Sequence, residues 1–170
     1  MDDAEELDRL VDPVHQVARR ALPGEPLRGA LKGAPLGHPL HPVLTDLPIG
    51  FWTSSFVLDL IPTAWARRSA DVMVGLGVLS ALPTMWTGVA DWVDLDRRTR
   101  RSGTVHAAAN LTATALYAAS YSRRRQGRRF SGVALAMVGA AAATAGGFLG
   151  GHLAFGDAEL PAEDDGPTHG

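Results

Sequence analysis

The sequence predicts an all-α integral membrane protein, an up-down four-helix bundle with an N-terminal amphipathic helix and a disordered acidic C-terminal tail. Three observations carry this prediction. First, the segments between Asp71 and Asp91, between Arg101 and Arg123, and between Arg129 and Asp157 contain no formally charged residue. Each can cross a hydrocarbon layer of about 30 Å, which takes roughly 20 helical residues at about 1.5 Å each. Second, a further apolar run from Val43 to Ile61 is broken only by Asp46 and Asp59. Third, the connections between the runs are short and arginine-rich, as hairpins between antiparallel membrane helices would be. A soluble bundle of 170 residues has too small an interior to hide four helices that are apolar on all sides.

Taken in order, residues 1–35 form an N-terminal arm. Leu7, Leu10, Val11, Val14, Val17, Ala18, Ala21 and Leu22 recur at a helical period interrupted by Pro13, which predicts an amphipathic helix on the membrane surface or against a partner. The acidic N-terminus lacks the pattern of a signal peptide. Residues 36–156 form the transmembrane domain, with helices near 45–61, 70–91, 104–121 and 132–154. Thr45 and Asp46 suit the start of the first of these, with Pro48 tolerated in its first turn. Gly146 with Gly150, and Gly147 with Gly151, give the last helix the small-residue spacing of close helix packing. Residues 157–170, "DAELPAEDDGPTHG", read as the disordered acidic tail.

Composition excludes several functions. The net charge of -2 gives no general attraction for nucleic acid, and the basic stretch from Ser122 to Arg129 fits contact with anionic lipid. With no cysteine, the chain cannot build a disulfide, a c-type haem attachment or a cysteine-ligated iron–sulfur cluster.

The up-down connectivity gathers chemistry at one end. The start of the first membrane helix, the end of the second, the start of the third and the end of the fourth share a membrane face. They carry His38, His41 and Asp46, then Asp91, His106 and His152. Ser80, Thr84, Thr87 and Asp91 follow helical spacing on the second helix, and His106, Asn110 and Tyr117 do so on the third. Such groups rarely face lipid and in membrane helices mark a bundle interior or a functional site. Because His38 and His41 precede Pro39 and Pro42, both are expected in extended backbone, pointing the same way but roughly 9 Å apart.

At these residues the chain resembles a known family. "GHPLHP", "TDLPIG", "GVADW" at Gly88–Trp92, "HAAAN" at His106–Asn110 and "GGHL" at Gly150–Leu153 resemble the motifs of an uncharacterised bacterial integral membrane family, a domain of unknown function. The resemblance spans about residues 25–155. It implies four membrane helices and location in the bacterial inner membrane. Some members are joined to a Rieske-type iron–sulfur domain, whereas this chain has no residues to hold such a cluster, so any redox partner would be a separate protein.

Three functional classes fit these residues. One is a b-type haem protein that passes electrons in the membrane. His106 and His152 would be the axial ligands, with His38 or His41 as the substitute and Arg97 and Arg98 among the arginines pairing with the propionates. Another is a metal-dependent enzyme in which His38, His41, His106 and His152 are joined by Asp46 and Asp91 around a non-haem transition metal. In either case Asn110 and Tyr117 would support the ligands from behind, and a carboxylate is expected within hydrogen-bonding reach of an imidazole. The third class is a cofactor-free anchor in which the histidines only knit helices together. Basic residues in the arm and in the loop after the second membrane helix outnumber those of the other two loops, which predicts cytoplasmic termini and a cytoplasmic histidine face.

Overall fold

The computed structural model describes residues 2–22 and 24–155, with side chains described for 8–22 and 24–151. The tail expected at 157–170 lies outside these residues. Among the described residues the chain is entirely helical: α1 spans Asp2–Ala21, α2 Glu25–Lys32, α3 Leu40–Asp59, α4 Ala64–Trp92, α5 Arg97–Arg125 and α6 Arg129–Phe155, with a 3₁₀ turn at Ala34–Leu36. Two segments, Ala64–Trp92 and Arg129–Gly151, are long and apolar enough to cross a membrane.

The long helices overrun the apolar segments because their ends are set by caps rather than by hydropathy. Thr63 caps α4 by accepting from the Ala66 N–H. The carboxylate of Asp96 accepts from the N–H groups of Arg98 and Thr99, so α5 begins among arginines and continues through Arg125. At α3 the expected start is corrected. The helix begins at Leu40 after Pro39, and Pro42 occupies its first turn, where a missing N–H costs nothing. His41 is therefore helical rather than extended. Thr45 is not a cap, and its hydroxyl donates back to the His41 carbonyl at 2.8 Å.

The four long helices pack in chain order, α3 on α4, α4 on α5 and α5 on α6, and neighbours run in opposite directions. The core runs through Trp52, Val74, Ala81 and Tyr117. The rings of Trp52 and Tyr117 stack with centroids 4.0 Å apart and an interplanar angle of 6°. This packing needs a residue without a side chain at position 77, since a Cβ on Gly77 would lie 2.2 Å from Trp52 Nε1. Outside this core, Leu79, Trp86, Leu111 and Phe148 are more than half exposed. An apolar surface of that extent suits lipid rather than water.

The N-terminal arm is docked. Val11, Leu22 and Val93 are buried, His15 Nε2 lies 2.9 Å from the Val93 carbonyl, and its ring meets Trp92 edge-on at 5.5 Å. Asp8 accepts from Arg101 at 2.8 and 2.5 Å and from Arg97 at 3.3 Å. Lys32 of α2 pairs with Asp94 in the same turn.

The hydrogen bonds from Arg101, with the charges of Arg101 and Arg97, hold the Asp8 carboxyl at about 2 against an ordinary value of 3.8. Folding therefore depresses this pKa. The contribution of the pair is fully present above 3.8 and is lost as pH falls toward about 2. We expect a nitroxide attached at exposed Gln16 to gain mobility over that pH interval. Asp8→Asn should give the mobile spectrum at neutral pH, and mobility insensitive to both changes would show that the pair does not dock α1.

Candidate functional site

Two of the singled-out histidines converge. His41, in the first turn of α3, and His106, near the start of α5, have ring centroids 6.4 Å apart and planes at 83°. Each ring is fixed by a carbonyl of the following helix. His41 Nδ1 lies 2.9 Å from the Thr84 carbonyl on α4, and His106 Nδ1 lies 2.8 Å from the Gly146 carbonyl on α6. A carbonyl oxygen only accepts, so in the neutral imidazoles each Nδ1 carries the proton and each Nε2 keeps its lone pair.

The polar stripe of α4 supports this arrangement. Thr87 Oγ1 donates to the Thr84 carbonyl at 2.8 Å and lies 3.3 Å from His41 Nδ1. Thr84 Oγ1 lies 3.1 Å from the Leu44 carbonyl and 2.9 Å from that of Ser80, joining α3 to α4. On α5, Asn110 Nδ2 lies 3.2 Å from His106 Nε2 and donates to the His106 carbonyl at 3.0 Å.

Glycine makes the seats for both rings. A Cβ on Gly88 would lie 2.8 Å from His41 Cε1, and one on Gly150 would lie 2.6 Å from His106 Cε1. A Cβ on Gly146 would meet the Asn110 amide at 2.9 Å, whereas Gly147 and Gly151 have nothing within 4 Å. Of the two interleaved glycine pairs in α6, only Gly146 and Gly150 are used in packing against α5.

The remaining predicted site residues lie elsewhere. His38 and Asp46 are exposed. Asp91 is half-buried at the end of α4, and among the described residues no carboxylate is hydrogen-bonded to an imidazole of the pair; carbonyls take the place expected of carboxylates. His152 is in α6, with its side chain outside the described set. Arg97 is paired with Asp8 and, at 3.8 Å, with Asp12, while Arg98 is exposed. Tyr117 belongs to the Trp52 stack, about 16 Å along α5 from His106. Among the described residues no group of three or more His, Cys, Asp or Glu side chains forms a candidate metal site.

A second polar cluster, at the opposite end, was not expected. The Arg124 side chain is fully buried. Its guanidinium donates to Asp59 at 2.9 and 2.5 Å, to Asp71 at 3.2 Å and to Ser120 Oγ at 3.1 Å. Arg129 donates to Asp71 at 3.0 Å and to Asp59 at 2.5 Å. The four residues come one each from α3, α4, α5 and α6. Asp59 is near Arg67 and Arg68 in sequence, but its partners are Arg124 and Arg129, and Arg67 offers only its carbonyl to Arg129. The available signal was an aspartate on each side of one short loop and an arginine on each side of another, in helices otherwise poor in charge.

Fold and surface together define a helical membrane protein with a histidine pair at one end and an ionic cluster at the other. Residues 37–158 match the family described as predicted membrane protein, DUF2231. The chain belongs to this family. No match was found among curated proteins or among solved structures.

Proposed function

We propose that the protein is a four-helix transmembrane redox protein in which α3 to α6 all cross the bilayer and the His41–His106 pair holds a transition-metal cofactor at one face. The observation that carries this reading is the pair of imidazoles, each with Nδ1–H committed to a carbonyl; the Nε2 lone pair of His41 has no hydrogen bond among the described residues, and that of His106 meets the Asn110 amide at 3.2 Å, which a ligated ion would displace. An Nδ1–H bound to a carbonyl is the orientation in which a ligating imidazole is held by its second hydrogen bond. With metal–nitrogen distances of about 2.0–2.1 Å, two imidazoles on one tetrahedral ion have centroids roughly 5 Å apart, so about 1 Å of closure from the observed 6.4 Å, with the rings turning their Nε2 atoms toward each other, would bring both onto a single ion.

Haem b asks for more. A macrocycle ligated by His106 and His152 would require α5 and α6 to part at Gly146 and Gly150, where they are in close contact. A single redox-active ion would supply one-electron chemistry, exchanged with a separate protein at the same face. The reading places the protein in the bacterial inner membrane with both termini and the histidine face on the cytoplasmic side, because the arm and the α4–α5 turn carry more basic residues than the other two loops.

Spectra of the purified protein, oxidised and then reduced with dithionite, together with elemental analysis, test the proposal. The expected result is no sharp reduced α-band and about one transition-metal ion per chain, lost in His41→Ala and in His106→Ala. A haem spectrum would assign the same end of the bundle to the macrocycle and overturn the ion. Metal-free, colourless wild-type protein that cannot be loaded would leave a cofactor-free anchor and sink the site.

A further inference from the structure

At the end remote from the histidines, the ionic cluster divides the arginines into two populations. Arg124 and Arg129 are taken up by Asp59 and Asp71. Arg67 and Arg68 on the first turn of α4, and Arg123, Arg125 and Arg128 around the α5–α6 turn, are exposed and form no ion pair among the described residues. Asp59 and Asp71 are the only acidic residues in residues 47–90 and 97–156, so this end carries a large excess of positive charge with its local acids already used.

The same level of the molecule is rimmed by apolar and aromatic side chains turned outward. Trp65 is 60% exposed, Phe130 91% and Leu60 69%. Trp65 lies two residues before Arg67, and Phe130 two residues after Arg128. Aromatic rings immediately beside arginines are what a membrane–water interface selects, with the rings at headgroup depth and the guanidinium groups at the phosphates. A soluble polyanion such as nucleic acid would meet the charge but leave Phe130 and Trp65 in water.

We infer that Arg67, Arg68, Arg123, Arg125 and Arg128 form a collar that binds the headgroups of anionic phospholipids, held in register by the Asp59–Arg124–Asp71–Arg129 cluster beside it, whose Arg124 and Asp59 side chains are buried. Planar guanidinium groups bind phosphate through paired N–H donors, and a basic side chain near an anionic bilayer contributes enough to change affinity by about fivefold. The inference requires that α3 to α6 be embedded in the bilayer, but not that the histidines bind anything.

The test compares binding of phosphatidylglycerol and phosphatidylcholine to the purified full chain, by native mass spectrometry and by melting temperature in mixed micelles. Wild-type protein should prefer phosphatidylglycerol, with a preference that weakens as salt is raised. Arg123→Gln/Arg125→Gln/Arg128→Gln should lower that preference more than tenfold, and Arg67→Gln/Arg68→Gln by a smaller factor, both without lowering the melting temperature in lipid-free detergent. Arg98→Gln, at the other end, should leave the preference unchanged. Equal preference in wild type and the triple variant, or an equal loss in Arg98→Gln, would overturn the collar as the binding surface.

Discussion

Arg124→Ala is expected to destabilise the protein by about 3–5 kcal/mol, the cost of leaving a buried charge without its partner. The side chain is completely enclosed, and Asp59, which it binds through two nitrogens, is itself only 7% exposed. Removing the guanidinium leaves Asp59 to Arg129 alone and takes the donor away from Ser120. Arg124→Lys should recover little, because one ammonium cannot reproduce planar bonds to Asp59 together with contacts to Asp71 and Ser120. Arg123→Ala, one residue away and exposed, should change stability by less than about 0.5 kcal/mol. Denaturant titration of detergent-solubilised protein measures all three. Similar midpoints for Arg124→Ala and Arg123→Ala would mean that the cluster does not hold the helices together.

Gly150→Ala is expected to reduce metal affinity at the histidine pair by about 10–100-fold although both imidazoles remain. The new methyl group would lie 2.6 Å from His106 Cε1, so the ring must swing off the Gly146 carbonyl and lose the bond that fixes its tautomer. Gly147→Ala is the matched control. It adds the same methyl group to the next residue of the same helix, where nothing lies within 4 Å, and should retain wild-type affinity. Metal titration by calorimetry compares the two. Equal affinities would count against the seat at Gly150 as part of the site, while loss of binding in neither His106→Ala nor Gly150→Ala would remove the site altogether.

Much of this geometry is legible in the sequence because long helices follow from uncharged apolar runs, and alternating direction follows from short loops. Those two facts suffice to bring His41 and His106 to one end and to turn Thr84, Thr87 and Asn110 inward. Helix ends are less legible. Apolar runs mark where a helix meets hydrocarbon, but Thr63 and Asp96 cap α4 and α5 well outside those runs, and Pro42 fits inside the turn that its effect on His41 seemed to forbid. Long-range pairing is least legible. Asp59 has arginines eight and nine residues ahead of it, yet it binds those at 124 and 129, because α5 and α6 bring their ends across the bundle while Arg67 and Arg68 point outward. The docking of α1 was similarly hidden, since its pattern fits a lipid surface and a protein surface equally well.

The two ends of the molecule are fastened by different means, and this sets where it can open. At one end, four charged side chains tie all four long helices into a single knot, and separating any helix there strands a charge. At the other, α3 is held to α4, and α5 to α6, by neutral hydrogen bonds to carbonyls, each contributing about 1 kcal/mol. Among the contacts between the four long helices, those at the histidine end are therefore expected to part first, once the Asp8–Arg101 and Lys32–Asp94 pairs that dock α1 and α2 there have released, with the knot as pivot. Amide protection along α3 and α5 should then increase steadily with distance from the histidines.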